Sequence, residues 1–295
     1  MIWLVGRDGM LGRLVETELA RLGVPFHASG RECDVTDGGS IARNAPTRDP
    51  AWLVNCTAYT AVDAAETERE AAYAVNDRAV ALLARYCAER GARMLHVSTD
   101  YVFDGENAAG YAEDAETAPI NTYGASKEAG EKTLRAALAE HVIVRTAWLY
   151  AEHGRNFMNT VLRLLTRENG PTIVDDQHGS PTYALDLARC ITTVVSSPEP
   201  TYGTYHFTNA GETTWFGFAR EIRERAVELG LVTAPPEIKP IPSESYPTPA
   251  ARPRHSVLRH DRITREYGVT PRAWQEALAE CLARKKQNEE QEGQK

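Results

Sequence analysis

The sequence predicts an α/β protein with a doubly wound parallel sheet, followed by a smaller α/β region. Apolar runs of strand length alternate with stretches of helical spacing through the first half of the chain. The first run, MIWLVG, is apolar throughout, as expected for a strand that helices cover on both faces. A glycine-rich turn joins the first run to the first helix. This alternation favours right-handed crossovers between parallel strands.

The predicted elements follow one another at short intervals. The strands are MIWLVG, VPFHAS, AWLVNCTA, RMLHVST and HVIVRTAWLY, with a late strand of the same domain in PTIVDD at 172–176. The helices cover residues 11–22, 66–90, 123–139, 156–168 and 214–229, where apolar residues recur at helical spacing. The proline-rich stretch IKPIPSESYPTPAARPRHS predicts a pocket-lining loop without regular structure.

Composition excludes several classes of protein. The net charge of −8 gives no basic field that would attract nucleic acid or an anionic membrane. The N-terminal stretch MIWLVG lacks the basic segment that opens a signal peptide. Its apolar run is also too short for a signal peptide or a membrane span. The five cysteines are scattered, which favours a reducing compartment over disulfides or a zinc site. We therefore expect a cytoplasmic enzyme that contacts neither nucleic acid nor membrane.

The stretch GRDGMLG indicates a dinucleotide site. Gly6 permits the tight turn, Gly9 lets the backbone approach a pyrophosphate, and Gly12 allows close packing of the helix on the sheet. Backbone N–H groups at the start of the helix, around Met10 and Leu11, would bind the phosphates. The spacing differs from GxGxxG, and the strand–turn–helix context favours cofactor binding over a simple packing turn.

These features divide the chain into two predicted regions and a tail. Residues 1–151 form a Rossmann-like dinucleotide-binding domain, to which residues 171–197 return. Residues 152–170 and 198–284 form a substrate-binding region. Residues 285–295 are polar and aperiodic and predict a flexible tail.

Residues after the second strand bear on the choice of cofactor. A basic residue there favours the 2′-phosphate of NADPH, and a carboxylate favours the ribose hydroxyls of NADH. Ser29 and Arg31 suit a 2′-phosphate, whereas Glu32 follows at once. The sequence favours NADPH and leaves NADH use open.

YGASK places a phenol and an ammonium one turn apart on a helix, as Tyr123 and Lys127. A nearby lysine lowers the pKa of a tyrosine, which brings the phenol into range for acid–base work. Thr99 ends a predicted strand in STDYVFDG, where the carboxyl ends of parallel strands line a crevice. We predict that Thr99 donates its hydroxyl to a substrate carbonyl while Tyr123 supplies a proton.

Taken together, these residues resemble the extended short-chain dehydrogenase/reductase superfamily and, within it, the family of dTDP-4-dehydrorhamnose reductases. The resemblance runs from Met1 to Trp274. Its motifs are GRDGMLG, NCTAYTAVDAAE, VNDRAV, HVSTDYVFDG, INTYGASKEAGE, VRTAWLY, NFMNTVLRL, VDDQHGSPT, GTYHFTNAGETTW and YPTPAARP. It implies NAD(P)H-dependent reduction of the 4-keto group of dTDP-4-dehydro-L-rhamnose, the last step of dTDP-L-rhamnose synthesis.

The resemblance also implies roles for individual residues. The implied catalytic residues are Thr99, Tyr123 and Lys127. Besides the glycine loop, Tyr123 and Lys127, the implied cofactor contacts are Asp34, Val35, Ala58, Tyr59, Thr60 and Val97. The implied substrate contacts are Thr99, Asp100, Tyr101 and Trp148. Candidates for the substrate diphosphate, from arginine chemistry alone, are Arg155, Arg252 and Arg254.

Tyr101 separates this chain from related dehydratases. Those enzymes carry Thr-Asp-Glu, whose two acids remove a proton and expel water, whereas here Asp100 precedes Tyr101. The second carboxylate is absent, so STDYVF fits a reductase. Two alternatives stay open: a reductase of another nucleotide-linked keto sugar, and a non-catalytic cofactor-binding regulatory subunit.

The sequence gives little support for a metal. Some relatives form Mg²⁺-bridged dimers through glutamates, one of them in the helix after the glycine loop. The matching position here is Leu14, with Glu16 nearby, so Mg²⁺ is doubtful and either a monomer or a homodimer is open. A turn after a strand explains Asp175, Asp176 and His178 without a metal.

Overall fold

Six strands form the central sheet of the computed structural model, which describes residues 1–292. The strands of the chain are β1 (Ile2–Val5), β2 (Phe26–Ser29), β3 (Trp52–Asn55), β4 (Arg93–Thr99), β5 (His141–Thr146), β6 (Leu149–Tyr150), β7 (Thr172–Val174), β8 (His178–Gly179), β9 (Thr182–Tyr183), β10 (Gly203–His206), β11 (Thr213–Thr214) and β12 (Lys239–Ile241). The helices are α1 (Met10–Arg21), α2 (Gly38–Asn44), α3 (Arg69–Tyr73), α4 (Ala79–Arg90), α5 (Thr122–Ala137), α6 (Phe157–Leu164), α7 (Ala184–Ser196), α8 (Trp215–Glu228), α9 (Asp261–Tyr267) and α10 (Trp274–Glu292).

The central sheet has the order β10-β5-β4-β3-β1-β2, and every neighbouring pair is parallel. In the register, Val5 lies beside both Ser29 and Asn55, and Thr99 lies beside Thr146. The carboxyl ends of these strands therefore meet at one edge. The predicted fold class, a Rossmann-like doubly wound parallel sheet, is confirmed.

Helices cover both faces of the sheet because the strands are apolar on both sides. Successive side chains of β1 point to opposite faces. Ile2 and Leu4 join a core with α1 and α7, whereas Trp3 and Val5 join a second core with α4 and Leu134 of α5. The continuous apolar run of β1 thus reflects burial from two sides.

Two strand pairings in the structure are not indicated by the sequence. Thr172–Val174 forms β7 but pairs with β12, outside the central sheet. The edge strand next to β5 is β10, from a stretch assigned to the substrate-binding region. The proline-rich stretch likewise contains regular structure, because Lys239–Ile241 forms β12. These pairings join residues far apart in sequence, and no local pattern indicates them.

The predicted helix over residues 66–90 is interrupted. A 3₁₀ turn (Ala64–Glu66) and α3 precede a π-helical turn at Ala74–Arg78, after which α4 continues. Asn76, in the π-helical turn, is buried and accepts the N–H of Tyr59. Its amide donates to the carbonyl of Tyr59 and to Ser126. In this turn Asn76 joins the backbone of Tyr59 to Ser126 of α5.

The predicted strand HVIVRTAWLY ends early, at Thr146, and β6 pairs separately with β9. Trp148 between them has a φ of 46°, a left-handed conformation that breaks the strand. At the other end of the chain, α10 extends through the stretch predicted to be flexible. Ion pairs between Lys285 and Glu289 and between Lys286 and Glu290 support it at i,i+4 spacing. Positions 293–295 of that stretch lie outside the described residues.

Within residues 1–292, no helix combines the length and the apolar character needed to cross a membrane.

Candidate active site

A cavity of about 680 Å³ opens at the carboxyl edge of the central sheet. We call it the cleft. It brings together thirteen of the predicted site residues, namely Gly9, Met10, Leu11, Arg31, Ala58, Thr60, Val97, Thr99, Asp100, Tyr101, Tyr123, Lys127 and Trp148. Residues that the sequence did not single out also line it, namely Cys56, Thr57, Val62, Ser98, Thr146, Ala147, Leu149 and Gly154. One cavity therefore holds the glycine loop and the three predicted catalytic residues.

The glycine loop has the geometry that a pyrophosphate requires. Gly6 has a φ of +90°, and its carbonyl accepts the N–H of Gly9 at 3.1 Å. A Cβ at Gly12 would lie 2.1 Å from the Gly6 oxygen, so only glycine fits there. No side chain of the described residues caps the start of α1, where the first N–H groups face the cleft side of the loop. These features fit a dinucleotide cofactor.

At the end of β2 the two residues proposed for a 2′-phosphate differ in position. Arg31 is exposed and lines the cleft, and its backbone N–H donates to Asp8 at 2.8 Å. Ser29 is 1% exposed and accepts the Trp3 indole N–H at 3.0 Å. Ser29 therefore bonds within the sheet and does not line the cleft, and its contact with a 2′-phosphate stays a prediction.

Five other predicted cofactor residues do not line the cleft. Gly6 and Gly12 act through the backbone of the glycine loop. Val35 is buried in the core beside Cys33 and Ile41. Asp34 accepts the backbone N–H and the hydroxyl of Thr36, which closes an exposed turn. The backbone N–H of Tyr59 donates to the side chain of Asn76, and the Tyr59 hydroxyl donates to Glu68.

Tyr123 lies at the start of α5, which Asn121 caps by accepting the N–H of Gly124 at 2.8 Å. The ring packs edge-on against Tyr101, with centroids 5.6 Å apart. Burial raises the pKa of the Tyr123 phenol to about 12, although a hydrogen bond with the Thr99 hydroxyl counteracts part of that rise. The expected lowering of this pKa is therefore not found, because burial outweighs the favourable contacts.

Lys127 lies in the wall of the cleft, and its ammonium group bonds residues of β4. The residue is 1% exposed, and its ammonium group donates to the carbonyl of Val97 at 2.7 Å. Its Nζ also lies 3.1 Å from Nε2 of His96, a buried residue of β4. Burial lowers the pKa of Lys127 to about 8. The sequence contained one signal for His96: a polar residue between the apolar residues Leu95 and Val97 of a predicted strand.

Thr99 uses its hydroxyl proton within the protein. Oγ1 of Thr99 donates to Oδ1 of Asp100 at 2.9 Å and accepts the N–H of Tyr101 at 3.2 Å. The structure thus differs from the prediction that Thr99 donates to a substrate carbonyl. The Thr99 hydroxyl instead links the Asp100 carboxylate to the backbone of Tyr101 at the carboxyl end of β4.

Trp148 covers the outer rim of the cleft. Its ring stacks on Trp215, with centroids 3.5 Å apart and planes 7° from parallel. A Cβ at Gly179 would lie 2.6 Å from the Trp148 ring, so glycine makes room for the indole there. The left-handed backbone of Trp148 turns this ring toward α8 rather than along β5.

A second cavity of about 580 Å³ adjoins the cleft, and Tyr101 lines both. We call it the outer cavity. Its apolar walls include Phe157, Trp215 and Tyr246. Arg252 lines it as well and pairs with Asp63 at 2.9 Å. The predicted pocket-lining role of the proline-rich stretch is confirmed by Tyr246, Thr248 and Arg252.

The remaining polar candidates are dispersed. Arg155 lines the cleft, and Arg254 lines a smaller hollow beside Asp176. Asp176 accepts the backbone N–H of Ser243, and Asp175 accepts the hydroxyl of Thr214. His178 pairs with Glu212. Leu14 is buried in the core.

Comparison with known proteins gives one consistent family. The family model described as the RmlD substrate binding domain matches residues 1–287. The dTDP-4-keto-6-deoxy-D-glucose reductase of Streptomyces niveus is 41% identical over 285 residues, which cover 95% of this chain and 96% of that protein. The dTDP-4-dehydrorhamnose reductase of Burkholderia thailandensis is 38% identical over 290 residues, covering 95% and 97%.

A solved structure agrees with these relatives. The crystal structure of dTDP-4-dehydrorhamnose reductase from Bacillus anthracis in complex with NADP superimposes with a TM-score of 0.88. The sequences are 34% identical, and the match covers 96% of this chain and 98% of that one.

Proposed function

The chain belongs to the RmlD substrate binding domain family, and we propose that it reduces the 4-keto group of dTDP-4-dehydro-L-rhamnose to give dTDP-L-rhamnose. The observation that carries the proposal is the meeting of Thr99, Tyr123 and Lys127 with the glycine loop in one cleft. The Burkholderia thailandensis relative carries the name of this activity. A purely regulatory cofactor-binding subunit has no chemical need for that arrangement.

Tyr123 acts as the proton donor. A nicotinamide cofactor bound on the glycine loop supplies the hydride that reduces the ketone. The raised pKa of Tyr123 keeps the phenol protonated at neutral pH, so a proton is present to transfer. The keto oxygen of the sugar accepts the hydrogen bond of the phenol. As the alkoxide forms, the phenol proton moves to it, and the charge of the resulting phenolate is stabilised by Lys127.

The cofactor is NADPH. Arg31 is the cationic side chain at the end of β2 that faces the cleft, which suits a 2′-phosphate. The solved Bacillus anthracis relative carries NADP according to its title. Glu32 is occupied nearby, because its carboxylate accepts the N–H of Gly30 at 2.7 Å. That bond engages one of its two carboxylate oxygens.

The nucleotide part of the substrate occupies the outer cavity. Aromatic rings of Trp215 and Tyr246 suit a base, and Arg252 suits a diphosphate once its bond to Asp63 is exchanged. Tyr101 lies between the two cavities, where the sugar crosses from one to the other. In this arrangement the 4-keto carbon reaches Tyr123 while the nucleoside stays outside the cleft.

A second candidate substrate is dTDP-4-keto-6-deoxy-D-glucose. It is favoured by the Streptomyces niveus relative, whose name gives that activity at 41% identity. Both substrates carry a 4-keto group on a dTDP-linked sugar, so they make the same demands on Tyr123 and the cofactor. They differ in the stereochemistry of the sugar ring, so the residues that line the cleft would have to distinguish them by their contacts with the ring.

The test is an assay of NADPH and NADH oxidation with each of the two keto sugars, with the products identified by NMR. Oxidation with dTDP-4-dehydro-L-rhamnose that yields dTDP-L-rhamnose supports the main proposal. Oxidation with dTDP-4-keto-6-deoxy-D-glucose alone replaces it with the second candidate. Tight cofactor binding without oxidation of either nucleotide points to a regulatory subunit. A Tyr123→Phe sample gives the background rate.

A further inference from the structure

A chain of buried polar groups leads from Lys127 away from the cleft. Nζ of Lys127 lies 3.1 Å from Nε2 of His96, and Nδ1 of His96 lies 3.0 Å from Nδ2 of Asn55. All three residues are at most 1% exposed. They belong to α5, β4 and the end of β3, so the tertiary fold brings them together.

The orientation of Asn55 is fixed by Thr57. Both the backbone N–H and the hydroxyl of Thr57 bond Oδ1 of Asn55, at 2.9 and 2.6 Å. Because a backbone N–H only donates, Oδ1 must face Thr57, and the NH₂ group must face His96. An amide NH₂ has no lone pair to offer, so Nδ1 of His96 accepts its hydrogen bond.

This fixes the tautomer of His96. A neutral imidazole carries one N–H and one acceptor nitrogen, and with Nδ1 accepting, the proton lies on Nε2. That N–H points at Nζ of Lys127, 3.1 Å away. A charged ammonium group has no acceptor, whereas a neutral amine has one lone pair. When Lys127 is neutral, its Nζ therefore accepts a hydrogen bond from the Nε2–H of His96. When Lys127 is charged, both groups are donors and no hydrogen bond forms between them.

The other titratable groups around Lys127 are either paired or neutral, so the contact with His96 is the one that distinguishes the charged from the neutral amine. Glu131, one turn further along α5, is bonded by Arg145 and by Arg135, each at 2.7 Å. Burial raises the pKa of the Cys56 thiol to about 12, so the thiol is neutral. Burial also places the pKa of His96 well below its usual value, which keeps the ring neutral. Tyr123, on the same helix, is protonated as described above.

We propose that Asn55 and His96 are positioning residues that favour the neutral amine of Lys127 and so set the pH above which the enzyme loses activity. The link to activity rests on the proposed function, in which charged Lys127 stabilises the Tyr123 phenolate. The link to Lys127 itself does not, since it follows from donor and acceptor geometry.

The first test uses the wild-type protein without substrate. Two-bond ¹H–¹⁵N correlation spectra report which nitrogen of each histidine carries the proton, and the His96 signals are assigned by their loss in His96→Gln. The proposal expects the Nε2–H form of His96. A proton on Nδ1, or a doubly protonated ring at neutral pH, would overturn it. Should the variant fail to fold, selective changes in Asn55→Asp give the assignment instead.

The second test reverses the hydrogen bond. In Asn55→Asp a carboxylate oxygen faces Nδ1, which must then donate, so Nε2 becomes an acceptor for charged Lys127. We expect the His96 proton to move to Nδ1 and the midpoint of the Lys127 ¹³Cε titration to rise by about one pH unit, a tenfold gain in proton affinity. The tautomer of His206, a buried histidine of β10, should not change. If the midpoint of the Lys127 titration rises while the His96 proton stays on Nε2, the negative charge of the new carboxylate alone explains the rise. This result would overturn the proposal.

The kinetic readout separates this proposal from the proposed function. In the reductase assay, the alkaline limb of kcat/KM should shift upward in Asn55→Asp by the same amount as the Lys127 titration. An unshifted limb with a shifted titration would overturn the assigned link between Lys127 charge and rate. If neither keto sugar is turned over, the proposed function fails while both NMR tests still decide the tautomer and the Lys127 titration.

Discussion

Thr99 donates its hydroxyl proton to Asp100, with Oγ1 and Oδ1 2.9 Å apart, and both residues are buried at the end of β4. Burial raises the pKa of Asp100 to about 6, while the bonds that it accepts, including that from Thr99, pull the value down. The pair therefore fixes the direction of the hydrogen bonds at the cleft. The Thr99 hydroxyl proton is used on Asp100, so the Tyr123 phenol is the proton donor proposed for the substrate.

The raised pKa of Asp100 predicts a dependence of stability on pH. Because the folded pKa lies above the ordinary value of 3.8, the folded state holds this proton more tightly than the unfolded state. That stabilisation is complete below about pH 4 and is lost as the pH rises through about 6. Asp100→Asn stays neutral, so its stability relative to wild type should rise by about 1.5 kcal/mol between about pH 5 and about pH 7.5.

Urea unfolding at the two pH values measures this difference. If the free energy of unfolding differs between wild type and Asp100→Asn by the same amount at both pH values, Asp100 titrates in the same way in the folded and unfolded states, contrary to the prediction. Because the comparison is between two pH values, any constant cost of the amide at this position cancels.

Replacing Tyr123 with phenylalanine should abolish turnover and leave cofactor binding nearly intact. The substitution removes only the hydroxyl, and the loss of a positioned acid lowers rates by about 10²–10⁴-fold. Stopped-flow rates and fluorescence titration with NADPH measure the two effects. Tyr73→Phe, a change in α3 outside the cleft, is the matched control and should keep the wild-type rate. A Tyr123→Phe enzyme with most of its rate would show that another group supplies the proton.

Arg31→Ala should raise the KM for NADPH about tenfold and leave that for NADH within about twofold. An exposed charge-assisted bond to a phosphate is worth about 1.4 kcal/mol, which corresponds to tenfold. Initial rates with each nucleotide measure the ratio. Arg48→Ala removes another exposed arginine of the same half of the chain and serves as the control. Equal effects on both nucleotides would argue against a 2′-phosphate contact.

Gly12→Ala should destabilise the protein by about 1–3 kcal/mol and weaken cofactor binding. The added Cβ would lie 2.1 Å from the Gly6 carbonyl oxygen and 2.8 Å from Cα of Arg7, both of them backbone atoms. The loop must therefore move. Thermal unfolding and NADPH titration report the two effects. Gly38→Ala, where the nearest atom is 3.9 Å from the new Cβ, should change neither by a measurable amount.

The roles given to individual cleft residues stay predictions until such variants are measured. What can be compared now is position. The sequence brought Thr99, Tyr123 and Lys127 to one cleft because each follows from a local rule: a strand end, or spacing of four on a helix. It did not indicate that Ser29 bonds within the sheet, because its partner, Trp3, lies on another strand.

By itself the sequence determined the alternation of strands and helices, the glycine loop and the identity of the polar residues at the strand ends. Those features depend on periodicity and on backbone freedom within a few residues of each position. Only the tertiary structure decided that β10 joins β5, that β7 joins β12, and that His96 meets both Lys127 and Asn55. Such contacts join elements distant in the chain, and their hydrogen bonds form only after the packing of the whole sheet has set the distance between donor and acceptor.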